Sequence, residues 1–408
     1  MKAASQFIPL PALVALLAAA HPFQAAFAEE RNWTSTDGKT VPGEIVALEE
    51  GEITLKTARG DFKFPLSRLS EEDQAFAKAW KEKADSQPAA NDSQSFADFS
   101  KVKLGEWPNS VAADFDEDKI AIVKEDKESN EFVYRSPHFE FRSPTRLSKT
   151  VIVEFSRIFE ATYEFASVIP IGLNPKPFGE GYYPTQLYAS REDYYGDGGM
   201  QGSGGMHSSS WRGGELVKSI IKVPLPNLGV EFTGTRYIVD HKKQSDTLVH
   251  EIAHQVTGKW LILTPVWFKE GLAETISTQR YDNGRFTLTS MDRSIREDLS
   301  RRSGTDREFS MIPLERLMTI SSAEWAADLA TPGASRNYPS ANVLFYYYLR
   351  LEGDGKATTL VNYMKALAEG KKEEEARVEI LLGGKSFAQL QEDVADKWRS
   401  EGLRLEFY

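Results

Sequence analysis

Thr247-Leu248-Val249-His250-Glu251-Ile252-Ala253-His254-Gln255-Val256 reads as one amphipathic helix with its chemistry on the polar side. Ser245 is placed to cap its N-terminus, and Asp246 puts an acid in the first turn. Gly258 stands where a left-handed C-cap is expected. At about 100° per residue, Leu248, Val249, Ile252 and Val256 gather on one face. His250 and His254 fall on the other face, one turn apart. Glu251 lies roughly 60–100° round from them by the same count. It is badly placed to ligate an ion held by those two imidazoles and well placed to reach a water on that ion. Two neutral nitrogen ligands beside a general base are what metal-assisted hydrolysis requires.

Five residues with three constrained positions recur by chance, so the context matters. Residues 247–249 and 255–256 are uncharged, and the helix carries its own capping residues and apolar back face. A catalytic zinc takes three protein ligands and keeps one position for water. The third comes from elsewhere, and Trp267-Phe268-Lys269-Glu270-Gly271-Leu272-Ala273-Glu274 offers it. Thr264-Pro265 reads as the N-cap and first residue of a second helix. Residues 255–269 leave room for a turn and a return. Glu270 and Glu274 share a face four residues apart, and either could ligate, with Glu270 favoured. The other carboxylate is then free to accept the spare N–H of a ligating histidine.

His250-Glu251-x-x-His254 followed by Glu270-Gly271-Leu272-Ala273-Glu274 resembles the gluzincin metallopeptidases. The gap is shorter than in thermolysin or the large aminopeptidases and closer to the bacterial peptidase MA-like domains. The resemblance implies one zinc ion held by His250, His254 and Glu270, with Glu251 as catalytic base. It implies Glu274 as the partner of a ligating histidine. It implies a tyrosine or histidine from a C-terminal helical subdomain to stabilise the oxyanion. Tyr338 is the candidate by position, and Arg336 a weaker one. It further implies an edge strand that binds the substrate backbone, for which Gly204, Gly205, Met206 and His207 are the candidates. A mobile glycine-rich loop is an equal alternative for them, since Gly196 to Gly205 holds six glycines. His207 reads most safely as a surface histidine, and His138 and His241 as structural ones.

The rest of the chain sets this centre in an α+β protein. Residues 1–28 read as a signal peptide, with Lys2, an apolar run and an Ala26-Phe27-Ala28 cleavage site. Export to the periplasm or beyond follows. No later stretch is apolar enough for a membrane span of about 20 residues. Residues 30–83 show four short β-like runs between turns, then a helix opened by Ser70-Glu71-Glu72-Asp73. Arg31-x-Trp33-Thr34 through Gln74 resembles the SH3-like Sla homology domain, which implies a small β-barrel that binds or targets an envelope ligand. Residues 84–105 read as a flexible linker. From residue 106 a mixed sheet precedes the histidine helix, and helices follow it to the C-terminus. The net charge of −11, without a basic block, argues against nucleic acid as a partner, and the absence of cysteine excludes thiolate ligands. The expectation is an exported zinc metallopeptidase acting on peptides or proteins. The alternative is a catalytically silent peptidase-like protein that binds or adapts at the envelope.

Overall fold

The computed structural model describes residues 31–49, 51–57, 60–86, 97–177, 181–212, 215–244, 246–305, 308–331 and 335–408. The expected signal peptide, the middle of the expected linker and the expected cap Ser245 lie outside the described residues.

The first unit follows the turn signals of its sequence. Strands β1 (Arg31–Thr34), β2 (Thr40–Glu49), β3 (Glu52–Thr57) and β4 (Gly60–Pro65) form an antiparallel meander in that order. Helix α1 (Glu71–Ser86) closes one face. The Ser70 hydroxyl accepts from the Asp73 amide at 3.2 Å, the expected cap. Trp33, Ile45, Ile53, Leu55 and Ala77 make a small separate core. The four strands leave an open sheet rather than the expected closed barrel. The chain returns to the end of β1 through a Ser35–Leu69 bridge and the Ser70 amide, which donates to the Thr34 carbonyl at 2.7 Å.

The larger unit begins earlier than residue 106. Ala97 is buried in its core, and Phe99 meets Trp260 edge-on at 6.2 Å. Its sheet uses β6 (Ala121–Asp126), β7 (Glu131–Arg135), β8 (Phe139–Ser143), β9 (Tyr183–Tyr188), β10 (Met206–Arg212) and β11 (Glu215–Pro224), after a short β5 (Ser110–Ala112). The spatial order is β10-β11-β9-β8-β7-β6, parallel across β11, β9 and β8 and antiparallel elsewhere. β10 is therefore an edge strand. Helix α2 (Lys149–Val168) starts at Ser148, whose hydroxyl accepts from the Val151 amide. Its Phe155 and Phe159 pack edge-on against Phe141 at 5.1 Å, which seats the helix on the sheet. Helix α3 (Arg191–Gly196) lies between β9 and β10, and the hairpin β12 (Leu228–Phe232) and β13 (Tyr237–Gln244) follows β11.

The next segments carry the site: α4 (Asp246–Val256), a turn α5 (Trp260–Leu263) and α6 (Val266–Ser277). A hairpin of β14 (Tyr281–Asp282) and β15 (Arg285–Thr287) pairs with β5. Helix α7 (Met291–Ser303), β16 (Glu308–Met311), α8 (Leu314–Thr319) and α9 (Ser322–Leu329) lead to α10 (Asn337–Tyr346). A π turn over Tyr347–Leu351 extends α10. Helices α11 (Thr358–Ala368), α12 (Glu373–Ala376) and α13 (Phe387–Ser400) complete the helical end, and β17 (Arg404–Phe407) pairs with β16. The molecule is thus mixed α+β with several sheets and no closed barrel among the described residues. None of its described helices is long and apolar enough to cross a membrane.

Candidate metal centre

Helix α4 is held as its periodicity predicts. Leu248, Val249, Ile252 and Val256 are all buried, against α2 and the sheet. Its end differs from expectation. Gly258 is not left-handed; the chain runs on into α5. What Gly258 provides is space, since a Cβ there would lie 3.1 Å from Leu216. The start of α6 also shifts by one residue. Pro265 takes the N-cap position, and the Thr264 hydroxyl donates back to the Trp260 carbonyl at 2.7 Å.

Helix α6 has two working faces. One packs on α10, where Gly271 is needed for close approach. A Cβ at that position would sit 2.4 Å from the Ala341 carbonyl oxygen and 2.6 Å from Phe345 Cβ. Below it the Thr275 hydroxyl donates to buried Asn342 at 2.8 Å. Trp267 and Phe268 are fully buried beside these contacts. The other face turns Glu270 and Glu274 toward α4.

Three side chains meet there. His254 Nε2 lies 3.0 Å from His250 Nε2 and 3.4 Å from Glu270 Oε2, and His250 Nε2 lies 3.1 Å from the same oxygen. Their side chains are 12 % to 16 % exposed. Three ligands at roughly 2.0–2.1 Å from a tetrahedral zinc stand about 3.3 Å from one another. The donor set and its spacing therefore fit a divalent cation, and the His250, His254 and Glu270 group could hold one. The alternative third ligand, Glu274, is turned elsewhere. Its Oε1 faces His250 Nδ1 at 3.0 Å, which leaves Nε2 to point at the centre.

The electrostatics agree with a cation site. Burial raises the Glu270 carboxyl, but the neighbouring His254 and His250 more than offset this and hold it ionised well below the usual range. Burial opposes charge on Glu274 as well, and His250 with Arg302 outweighs it. Burial likewise lowers His250, yet Glu270 and Glu274 together push it well above its ordinary value. Two buried carboxylates thus draw positive charge to this point. A divalent cation answers that demand and leaves the imidazoles neutral.

Glu251 does not join the cluster. Its Oε2 accepts the backbone N–H of His207 at 2.7 Å, which fixes the carboxylate between α4 and β10. Of the expected substrate strand, Met206 and His207 open β10, whereas Gly204 and Gly205 precede it, both buried. The His207 side chain is half-buried rather than freely exposed. Its ring stacks 6.2 Å from that of His254, and its Nε2 meets the Ser219 hydroxyl at 2.9 Å. Burial first, and His254 second, push it down to about 3. Tyr338 does come to the site: its ring lies edge-on to His250 at 5.7 Å and to Trp325 at 5.6 Å. Burial and then the Glu270, Glu251 and Glu274 carboxylates raise its hydroxyl, which stays protonated as a donor. Arg336 turns away and donates to the Tyr408 carbonyl.

Sequence reasoning missed Arg302 and Asp298. Arg302 donates to Glu274 Oε2 at 2.6 Å, and its Nε pairs with Asp298 Oδ2 at 2.7 Å. Asp298, Arg302, Glu274 and His250 form a chain of alternating charge running from α7 to the centre. The only signal was an i, i+4 acid–base pair on a helix, which recurs on many helix surfaces.

No family model matches the chain, and no curated protein matches it either.

Proposed function

We propose that the protein is an exported zinc metallopeptidase of the gluzincin type, carrying an N-terminal module of the Sla homology kind. The observation that carries the reading is the convergence of two histidine nitrogens and one glutamate oxygen within 3.4 Å, beside a separately anchored glutamate.

His250, His254 and Glu270 hold the metal, and Glu274 fixes the tautomer and orientation of His250. A bound zinc supplies Lewis acidity, which polarises a substrate carbonyl and makes water a competent nucleophile near neutral pH. Glu251 keeps Oε2 on the His207 amide and receives the proton of the attacking water on Oε1. It then delivers that proton to the leaving amine. The Tyr338 hydroxyl donates a hydrogen bond to the oxygen on which charge develops. The edge of β10 offers main-chain groups to an extended peptide. The open N-terminal meander, with its own core, serves as the binding or targeting module for an envelope ligand.

The test is elemental analysis of the purified chain 29–408, followed by a peptide-library digest. About one zinc per chain, and cleavage abolished by a chelator and restored by zinc, are expected. A chain that takes up no zinc under non-chelating conditions defeats the reading. Zinc without cleavage of any peptide leaves a binding protein with a peptidase-like centre.

A further inference from the structure

A cleft beside the base carries a cation that the metal centre does not use. It is open, ≈ 360 Å³ in volume, and walled by Arg191, Tyr195, Ser203, Asn227, Lys243 and Thr247 together with Gly204. Thr247 and Glu251 stand one turn apart on the same face of α4, about 6 Å along its axis. Gly204 leads into β10, whose His207 amide holds Glu251. The cleft and the base therefore share the same two elements.

Arg191 is fastened in place there. It is the first residue of α3, and its Nε donates to Asn227 Oδ1 at 2.9 Å. Asn227 is 5 % exposed, and its amide donates to the Gly204 carbonyl at 2.9 Å. A buried side chain thus ties the guanidinium to the backbone that enters the edge strand. Arg191 pairs with no carboxylate among the described residues. Lys243 does, with Glu231 at 2.6 Å. The adjoining cleft shares Arg191 and Lys243 but is also walled by Glu192 and Glu231. The cleft beside Thr247 has no carboxylate in its wall. In a chain of net charge −11, a guanidinium tied to Asn227 and paired with no carboxylate among the described residues is a ready partner for an anion. Its terminal nitrogens match the two oxygens of a carboxylate.

We propose that this cleft is a carboxylate subsite, and that Arg191 selects peptides that carry a carboxylate at one fixed position relative to the scissile bond. The inference rests on the metallopeptidase reading. The carboxylate can belong to an Asp or Glu side chain or to a peptide C-terminus.

Internally quenched decapeptides, digested by the zinc-loaded full chain, separate these sources. One set has blocked termini and a single Glu walked through an uncharged sequence, matched to a set with Gln. A third set is uncharged apart from a free C-terminus. A preference for Glu over Gln of about tenfold or more in kcat/KM at one position, carried mainly by KM, is expected. Arg191→Gln brings that ratio close to one, and Arg191→Glu inverts it. A ratio does not depend on the fraction of folded enzyme, so a partly unstable variant still reports. If only the free C-terminus is favoured, and Arg191→Gln removes the preference, the subsite takes terminal carboxylates. A ratio near one at every position with no terminal preference overturns the proposal, as does a preference that Arg191→Gln leaves unchanged. If nothing in any set is cleaved, the peptidase reading fails, and the subsite is judged by fluorescence-anisotropy binding of dye-labelled Glu and Gln peptides to the zinc-loaded chain. Tighter Glu binding that Arg191→Gln abolishes supports it, and equal affinities sink it.

Discussion

The histidine–carboxylate contact at His138 and the cluster at His250 and His254 both lie within the larger unit, and the second is arranged to hold a cation. At the turn between β7 and β8, His138 Nδ1 meets Glu160 Oε2 at 2.6 Å. The other oxygen of Glu160 accepts from the Ser136 hydroxyl at 2.6 Å and from the His138 amide at 2.9 Å. The imidazole stacks on Tyr163 at 3.8 Å. One carboxylate serves one imidazole, and both its oxygens are engaged in closing a turn onto α2. At the α4–α6 contact, by contrast, two imidazoles one turn apart meet two carboxylates one turn apart. Glu274 occupies the outward nitrogen of His250, so Nε2 of both histidines and one oxygen of Glu270 converge on one point. Convergence of lone pairs, rather than the presence of a buried His–Glu pair, separates a metal site from a structural brace.

The sharpest way to break this comparison is Glu270→Ala. It removes one of the three converging donors, and zinc per chain, read by elemental analysis, is expected to fall from about one toward zero. Retained stoichiometric zinc would show that the ligand set is a different one. Glu251→Gln comes next. It lies outside the converging set, so zinc stays bound while kcat on a peptide substrate drops about 10²–10⁴-fold. Equal loss of zinc and activity would instead make Glu251 part of the ligand set. Arg302→Met acts one residue further out. It leaves Glu274 buried without its counter-charge, and zinc affinity measured by chelator competition is expected to weaken about 10- to 100-fold. An unchanged affinity would show that Glu274 holds His250 without that support. The smallest effect at the metal centre belongs to Glu160→Gln. It disturbs one buried and two part-buried contacts of the carboxylate and is expected to cost about 1–3 kcal/mol of stability in denaturant unfolding. Zinc content stays at one per chain, and a loss of zinc would erase the distinction between the two clusters.

Much of this was legible because it is local. The apolar stripe of α4, the one-turn spacing of its histidines and the shared face of Glu270 and Glu274 follow from helical geometry once the residues are read in order. The strands of the N-terminal meander, the Ser70 cap and most C-terminal helices were marked by turn residues and period in the same way. The hairpin β12–β13 and the short pairings of β5 with β15 and β16 with β17 were not. Strand β13 runs into Asp240-His241-Lys242-Lys243 without apolar alternation, and the other two pairings join short runs far apart in the chain. The closed barrel expected for residues 30–83 failed for a related reason. Strand runs announce their own extent, but barrel closure depends on which edges pair, and among the described residues β1 and β4 do not pair.

The sequence by itself determined which residues could do chemistry here: two histidines on one helical face, a glutamate beside them, and two more glutamates on a second helix. Bond lengths and the helical repeat dictate those relations, so no knowledge of the rest of the chain is needed. Only the tertiary structure decided their roles. Close packing of α6 on α10 at Gly271 sets which carboxylate faces the histidines. Arg302, reaching from α7, holds Glu274 against His250 Nδ1, and the His207 amide of β10 holds Glu251 apart from the cluster. Those partners lie tens of residues away, and contacts at such separations are chosen by the packing of whole elements rather than by any local pattern.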